Sequence, residues 1–269
     1  MINDAQSITR GPLGRQEAKF LADLGGSPTF TIQDARKALK RAPEDPTSAF
    51  LKRLERKGWI RQIKRGHFAI IPLSSGKDRV PQLHEFSVAM TLVEPAAIAY
   101  WSALNHHGMT EQIPRTVFIA TDHPVRRPVT KALGMTFKIV SVRSPKFFGM
   151  VKEWIDEQPF TITDREKTII DGLDLPEYVG GIGELAKALT TSWKSLNESK
   201  LFQYAVKIGN ATVVKRLGFL METLTIGHPD ELRGMGKLSS GFSPLDPTLP
   251  GCGKYNRRWG LLVNAGIQP

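Results

Sequence analysis

The feature that most constrains this chain is a change of hydrophobic period at Gly58. Upstream, "EDPTSAFLKRLERKGW" repeats its apolar residues at helical spacing. Downstream, "WIRQIKRGHFAIIPL" alternates apolar and polar residues, as a half-buried hairpin does. The switch predicts a helix followed by two antiparallel strands. Asp45 can cap that helix, with Pro46 at the first helical position, where a missing N–H costs nothing. Gly58 ends the helix, and the hairpin turns at Lys64-Arg65-Gly66. Two shorter helices come first. "GRQEAKFLADLGG" spaces Ala18, Leu21, Ala22 and Leu24 helically and stops at Gly25-Gly26. "TFTIQDARKALKR" offers Thr31 as an N-cap, with Ile32, Ala35 and Leu39 as an inward stripe. Three short helices and a basic-tipped hairpin follow the order of a winged helix-turn-helix.

At about 100° per residue, Phe50, Leu51 and Leu54 share one side of the third helix. Ala49, Lys52, Arg53 and Arg56 lie opposite, with Ser48 at the edge. A recognition helix needs this division: an apolar face to hold it and a basic, small-residue face to enter the major groove. Arginine reads guanine through two parallel hydrogen bonds, whereas lysine and serine more often fix position on phosphate. Lys64, Arg65 and His67 would then lie on the DNA backbone or in the minor groove. The plain alternative for the helix alone is a solvated amphipathic surface; the ordered series and the basic tip favour DNA.

Charge agrees with that reading. The chain carries 37 Lys and Arg against 26 Asp and Glu, a net of +11. Residues 1–80 hold 16 of the basic and 8 of the acidic side chains, so most of the excess lies in the first third. A nucleic-acid-binding head on a near-neutral body is distributed in this way.

"IPLSSGKDRVPQ", Ile71 to Gln82, has the composition of a linker. It divides a DNA-binding domain, 1–76, from a larger mixed α/β domain, 77–269, giving an α+β fold class. In the second part, "LHEFSVAMTLVEPAAIAYWSALNHHGM" reads as a helix broken near Pro95 and a second helix ending at Gly108. "RTVFIATD" and "MTFKIVSV" read as strands, "ESKLFQYAVKIGNATVVKRLGFLMETL" as two helices, and "NRRWGLLVN" as a further strand. No apolar run approaches the ~20 residues that span a bilayer, and the N-terminus lacks the apolar core of a signal peptide. The single cysteine, Cys252, excludes an intramolecular disulfide and a cysteine-built zinc site. A cytoplasmic protein is expected.

"TITDREKTIIDGLDLPEYVGG" is the stretch that suggests an enzyme. Its D-x-E-K run resembles the carboxylate and lysine set of a Mg²⁺-dependent nuclease. Helix chemistry accounts for it as well. Thr163 and Glu166 fit a capping box, and Asp164 suits the first turn. Ile169, Ile170 and Leu173 form a buried face. Lys167, Asp171 and Asp174 form a polar stripe with a Lys167–Asp171 pair. A nuclease with a DNA-binding head, using Asp171, Asp174 and a distant carboxylate such as Asp122, is the rival reading. The expectation is no catalytic site, no cofactor and no metal. Adjacent His106 and His107 cannot both face one ion from a regular helix, and His84, His123 and His228 are scattered. No G-x-S-x-G elbow or P-loop is present. Trp101, Trp154 and Trp193 read as core. Arg126, Arg127, Arg143 and Lys146 could form a second basic patch, with solvated surface as the default and RNA or a toxin as the sharper reading.

"AAIAYWSALNHHGMTEQIP" resembles the "SAL..HGL.EQ.P" signature of the AbiEi family of antitoxins and transcriptional regulators. "KFFG" (Lys146 to Gly149), "DREKTIIDGLDLPEYVGGIGELAKAL", "VVKRLGFLMETL" and "LDP" (Leu245 to Pro247) are similar to its further blocks, in the same order. The likeness runs from about Arg15 to the C-terminus. It departs at Asn105-His106-His107, where many relatives carry a small residue before a single His. The resemblance implies a winged helix-turn-helix before a larger domain and repression of the protein's own operon through inverted repeats. It also implies neutralisation of a partner nucleotidyltransferase toxin in phage defence. The type IV label means that no stable complex with the toxin is required. An inverted repeat calls for two copies per operator, so the protein would be dimeric at least on DNA.

Overall fold

The computed structural model describes residues 11–24, 26–40, 46–72, 75, 81, 83–236 and 238–267. Asp45, Gly25 and most of the Ile71–Gln82 segment lie outside the described residues. The chain divides into two compact units: Met1–Leu92 with Lys131–Met135, and Val93–Thr130 with Thr136–Pro269.

The first unit begins with α1 (Arg15–Asp23), β1 (Thr29–Thr31) and α2 (Ile32–Ala38). It continues with α3 (Thr47–Arg56), β2 (Ile60–Lys64), β3 (His67–Ile70) and α4 (Glu85–Leu92). Thr31 caps α2 as its sequence requires: its hydroxyl accepts the Asp34 N–H, and the Asp34 carboxylate accepts the Thr31 N–H at 2.9 Å. Pro46 is the cap of α3 and not its first helical residue. The φ of +73° at Gly58 turns the chain from α3 into β2. The strands form an antiparallel sheet of order β1-β3-β2. A bulge between Gln62 and Lys64 resets the register of β2 and turns Ile63 inward. Phe20, Phe30, Phe50, Leu51, Leu54, Ile60 and Phe68 form the core, with the Phe20 and Phe50 rings edge to face at 5.2 Å. Among the described residues after the hairpin, α4 packs against β2 within this unit.

The second unit starts with β4 (Ala97–Ile98), where the hydrophobic run predicts only helix, and α5 (Tyr100–His106). Two buried apolar residues carry no period by which to tell strand from helix. Next come β5 (Thr116–Thr121), β6 (Val129–Ala132) and β7 (Met135–Ser141), whose connecting Lys131–Met135 is grouped with the first unit, then β8 (Met150–Ile155) and β9 (Gln158–Thr163). The sheet has the order β6-β7-β5-β4-β9-β8, with β4 antiparallel to β5 and parallel to β9. The helices are α6 (Arg165–Asp174), α7 (Ile182–Ser192), α8 (Glu198–Lys207), α9 (Ala211–Thr223) and α10 (Pro229–Met235). A small sheet of β10 (Ser243–Pro244), β11 (Lys254–Asn256) and β12 (Leu261–Val263) follows.

Helix α6 lies in the middle of this unit, packed against α5, α7, α8 and α9. Ile169, Ile170 and Leu173 are fully buried as their spacing predicts. Gly172 lets α7 approach, since a Cβ there would stand 2.7 Å from Leu185 Cδ2. The tryptophan of the core is Trp259, lying flat on Gly218 of α9. Trp193 is partly buried against the core, whereas Trp154, read as core from the sequence, is 61% exposed on edge strand β8.

Candidate nucleic-acid interface

Helix α3 divides as its angular pattern demands. Phe50, Leu51 and Leu54 are buried, and Ser48, Ala49, Lys52, Arg53 and Arg56 are exposed. The buried side fixes the helix on the aromatic core, so the exposed side projects from a rigid element.

Arg53 has a further attachment that its sequence position does not announce. Its Nε donates to Glu17 Oε1 at 3.0 Å, and its guanidinium lies 5.3 Å from the centre of the Phe50 ring. Glu17, on α1, is buried. Its other oxygen accepts the Gly14 N–H at 2.8 Å and Lys57 Nζ at 2.7 Å. Burial pushes the Glu17 carboxyl up, but the hydrogen bonds from Lys57, Gly14 and Arg53 outweigh it, and the carboxyl lies below its ordinary value. One carboxylate therefore ties the N-terminus of α1 to the C-terminal half of α3. Glu17 is the residue that sequence reasoning missed; the glutamate three residues after Gly14 was the available signal.

Of the three hairpin residues expected at DNA, Arg65 alone is exposed. Lys64 is half-buried, with its Nζ 3.4 Å from the Leu92 carbonyl oxygen. His67 is half-buried opposite Thr31 in the sheet, and its Nδ1 is buried with no hydrogen-bond partner among the described residues. The turn is anchored as well, since the Ile32 N–H donates to the Gly66 carbonyl at 2.8 Å. Arg61 on β2 is exposed and adds a basic group that the alternating pattern alone did not single out. On α3 and the hairpin the exposed basic residues are Lys52, Arg53, Arg56, Arg61 and Arg65, and Ser48 is exposed on α3 as well.

In the second unit, Arg126 and Arg127 are exposed in the loop after β5, and Arg143 is exposed just after β7. Strands β5 and β7 are parallel and end together, with Val142 N–H donating to the Thr121 carbonyl at 2.8 Å, so these three arginines share one end of the sheet. Lys146 is engaged elsewhere: its Nζ meets Asp174 Oδ2 at 2.5 Å.

The acidic stretch is built differently from its sequence reading. Asp164, not Thr163, caps α6, accepting the Lys167 N–H at 2.8 Å; Thr163 belongs to β9. Glu166 turns away from any capping box and accepts the Asn197 N–H at 2.8 Å, leaving its second oxygen 2.9 Å from Lys200 Nζ. Lys200 also meets Asp164 at 3.1 Å. The polar stripe is not on the surface: Lys167 and Asp171 are both buried and form a close ion pair beneath the Phe148 ring. Burial pushes the Asp171 carboxyl up to about 6, against the pull of Lys167. Asp174 takes Lys146 and Asn210 Nδ2. Each of these four carboxylates has a structural partner, in α6 itself or in a neighbouring segment.

Three helices, a small antiparallel sheet and exposed basic residues on the third helix and the hairpin are features shared with a nucleic-acid-binding class of protein. The comparisons narrow the class. Residues 16–71 match the sequence model of a family described as "Transcriptional regulator, AbiEi antitoxin". The blocks of the larger unit that carry the resemblance lie outside the matched residues. No curated protein matches the chain. The fold is similar to that in the "Crystal structure of RV2827C protein from Mycobacterium tuberculosis". The TM-score is 0.63 at 14% sequence identity, over 95% of this chain and 94% of that one. Among the described residues, no helix is long and apolar enough to cross a membrane.

Proposed function

We propose that the first unit is a winged helix-turn-helix that binds an inverted repeat upstream of its own operon and represses it. In this reading α2 and α3 form the helix-turn-helix, and β2 and β3 form the wing. The observation that carries the reading is the exposed face of α3, where Ser48, Lys52 and Arg56 stand opposite a fully buried apolar face inside the family-matched segment. Arg56 and Lys52 reach base edges. Arg53, held at its Nε by Glu17, contacts DNA with the far side of its guanidinium and positions the helix. Arg65 and Arg61 lie along the phosphates, with Lys64 and His67 flanking the turn at the tip of the wing. Two copies bind per operator, matching the symmetry of an inverted repeat.

The second unit counteracts a nucleotidyltransferase toxin encoded in the same operon, in a cytoplasmic system of phage defence. Arg126, Arg127 and Arg143, at one end of the sheet, are the candidate surface for the toxin or its RNA. The nuclease alternative finds no support in the acidic stretch, whose carboxylates are occupied by helix caps and ion pairs.

Titration of upstream and scrambled DNA with single variants tests the assignment. Arg56→Ala should reduce the preference for upstream DNA by about 1–3 kcal/mol, the worth of a bidentate base contact. Arg65→Ala should weaken binding to all sequences alike and lower the salt slope by about 1. An Arg56→Ala protein with unchanged preference would remove α3 from base reading.

A further inference from the structure

A second site is present where α5 ends. His106 is the last residue of α5 and His107 its C-cap, with the chain leaving through Gly108 at φ +68°. The two side chains leave the helix in different directions, yet their rings come together, so the expectation that adjacent histidines cannot share a site is set aside by the observed spacing. The two rings stand edge to face, 5.5 Å between centres. Glu153 reaches them from β8, with its Oε2 2.6 Å from His106 Nε2. One ligating atom from each of His106, His107 and Glu153 lies within 4.8 Å of the others.

We propose that His106, His107 and Glu153 bind a divalent transition-metal ion of the zinc class. The donor set is two imidazoles and one carboxylate, the borderline nitrogen and oxygen ligands that zinc takes at about 2.0–2.2 Å. Small side-chain rotations would close the present spacing to that of a bound ion. The supporting shell is in place. His107 Nε2 lies 2.7 Å from the Thr163 carbonyl oxygen. A carbonyl only accepts, so that nitrogen carries the proton and the other ring nitrogen keeps its lone pair, as in histidines held for ligation. The His106 ring is held edge-on by Phe160, 5.4 Å away.

The three residues line an open cavity of about 350 Å³, shared with Asp164, Arg165, Glu166 and Lys200. The two cations there have partners of their own: Lys200 meets Asp164 and Glu166, and Arg165 donates to Ser195 Oγ at 3.2 Å. Three protein ligands leave a coordination position toward the cavity, open to water or to an anionic ligand. All three ligands belong to the second unit, so the site stands independently of the DNA-binding reading.

The test uses tag-free full-length protein titrated with Co²⁺, followed by visible absorption, and with Zn²⁺ against a chromophoric chelator. The expected result is one ion per chain, with visible ligand-field bands appearing in proportion to the Co²⁺ bound. His106→Ala should weaken affinity at least about 100-fold and Glu153→Gln about 10–100-fold. Both change half-exposed side chains, so both proteins should fold. His123→Ala and His228→Ala should bind as the parent does. The absence of saturable binding near one equivalent, or binding that His106→Ala and Glu153→Gln leave intact, would overturn the proposal.

Discussion

The duty of the acidic stretch can be tested by dismantling its buried pair. The Lys167 and Asp171 side chains are 3% and 6% exposed, and they meet one turn apart on α6. Asp171→Leu alone leaves the lysine ammonium buried without its partner, a loss of about 3–5 kcal/mol. Asp171→Leu with Lys167→Met removes both charges while keeping most of the volume, a change that is often neutral or stabilising. In a unit of this size about 1 kcal/mol moves Tm by about 2–4 °C. The single variant should therefore melt about 6–20 °C lower, and the double variant near the parent. The pH dependence has a defined sign. Burial raises the folded Asp171 carboxyl from 3.8 to about 6, so the folded state favours its protonated form. That contribution is fully present below about pH 4 and is lost as pH rises through about 6. Relative to the double variant, the parent should lose stability across that window. The assay is thermal melting by circular dichroism from pH 4 to 8, alongside DNA binding by the double variant. A double variant as unstable as the single one would refute the pairing argument. Mg²⁺-dependent DNA cleavage abolished by Asp171→Ala in a still-folded protein would refute the structural duty itself.

Glu17→Gln should cost about 1–3 kcal/mol, the worth of hydrogen bonds to charged groups, and should loosen α1 and α3 amides in hydrogen exchange. The Glu17 carboxyl is depressed in the folded state, so its contribution is present above about pH 4.5 and lost as pH falls through its lower folded value. The variant should lack that acid-side loss. Gly218→Ala places a Cβ 2.1 Å from Trp259 Cη2, and the indole is also pinned through Nε1 to Glu222 at 2.5 Å. Overpacking of about 1–3 kcal/mol against a gain of about 1 kcal/mol in helix propensity should leave a net loss of up to about 2 kcal/mol, read by thermal melting and a red-shifted tryptophan emission.

The first unit was the more legible because its signals are local. Thr31 as an N-cap, the period change at Gly58 and the angular division of α3 each depend on residues within two turns of one another. Arg53 was legible as a surface cation but not as a partner of Glu17, because that contact joins positions 36 residues apart. In the second unit the hairpin of β8 and β9 left little trace. Its two-residue turn places Asp156 and Glu157 at φ +49° and +61°, where Asn-Gly or Asp-Gly would have advertised it. The amphipathic reading of α6 found the apolar face but took the opposite face for surface. Lys146, Asn197, Lys200 and Asn210, each distant in sequence, supply the partners that let its carboxylates be buried. His106 and His107 show the same limit, because Glu153, which meets His106 in space, lies 47 residues further along the chain.

The most direct test of the central claim is an electrophoretic shift with the protein's own upstream DNA against scrambled DNA, across a salt series, with and without Mg²⁺. The account predicts a shift that favours the upstream fragment, weakens steeply as counterion release is opposed by salt, and leaves the DNA intact in Mg²⁺. Equal binding to both fragments, or DNA cut when Mg²⁺ is added, would contradict it.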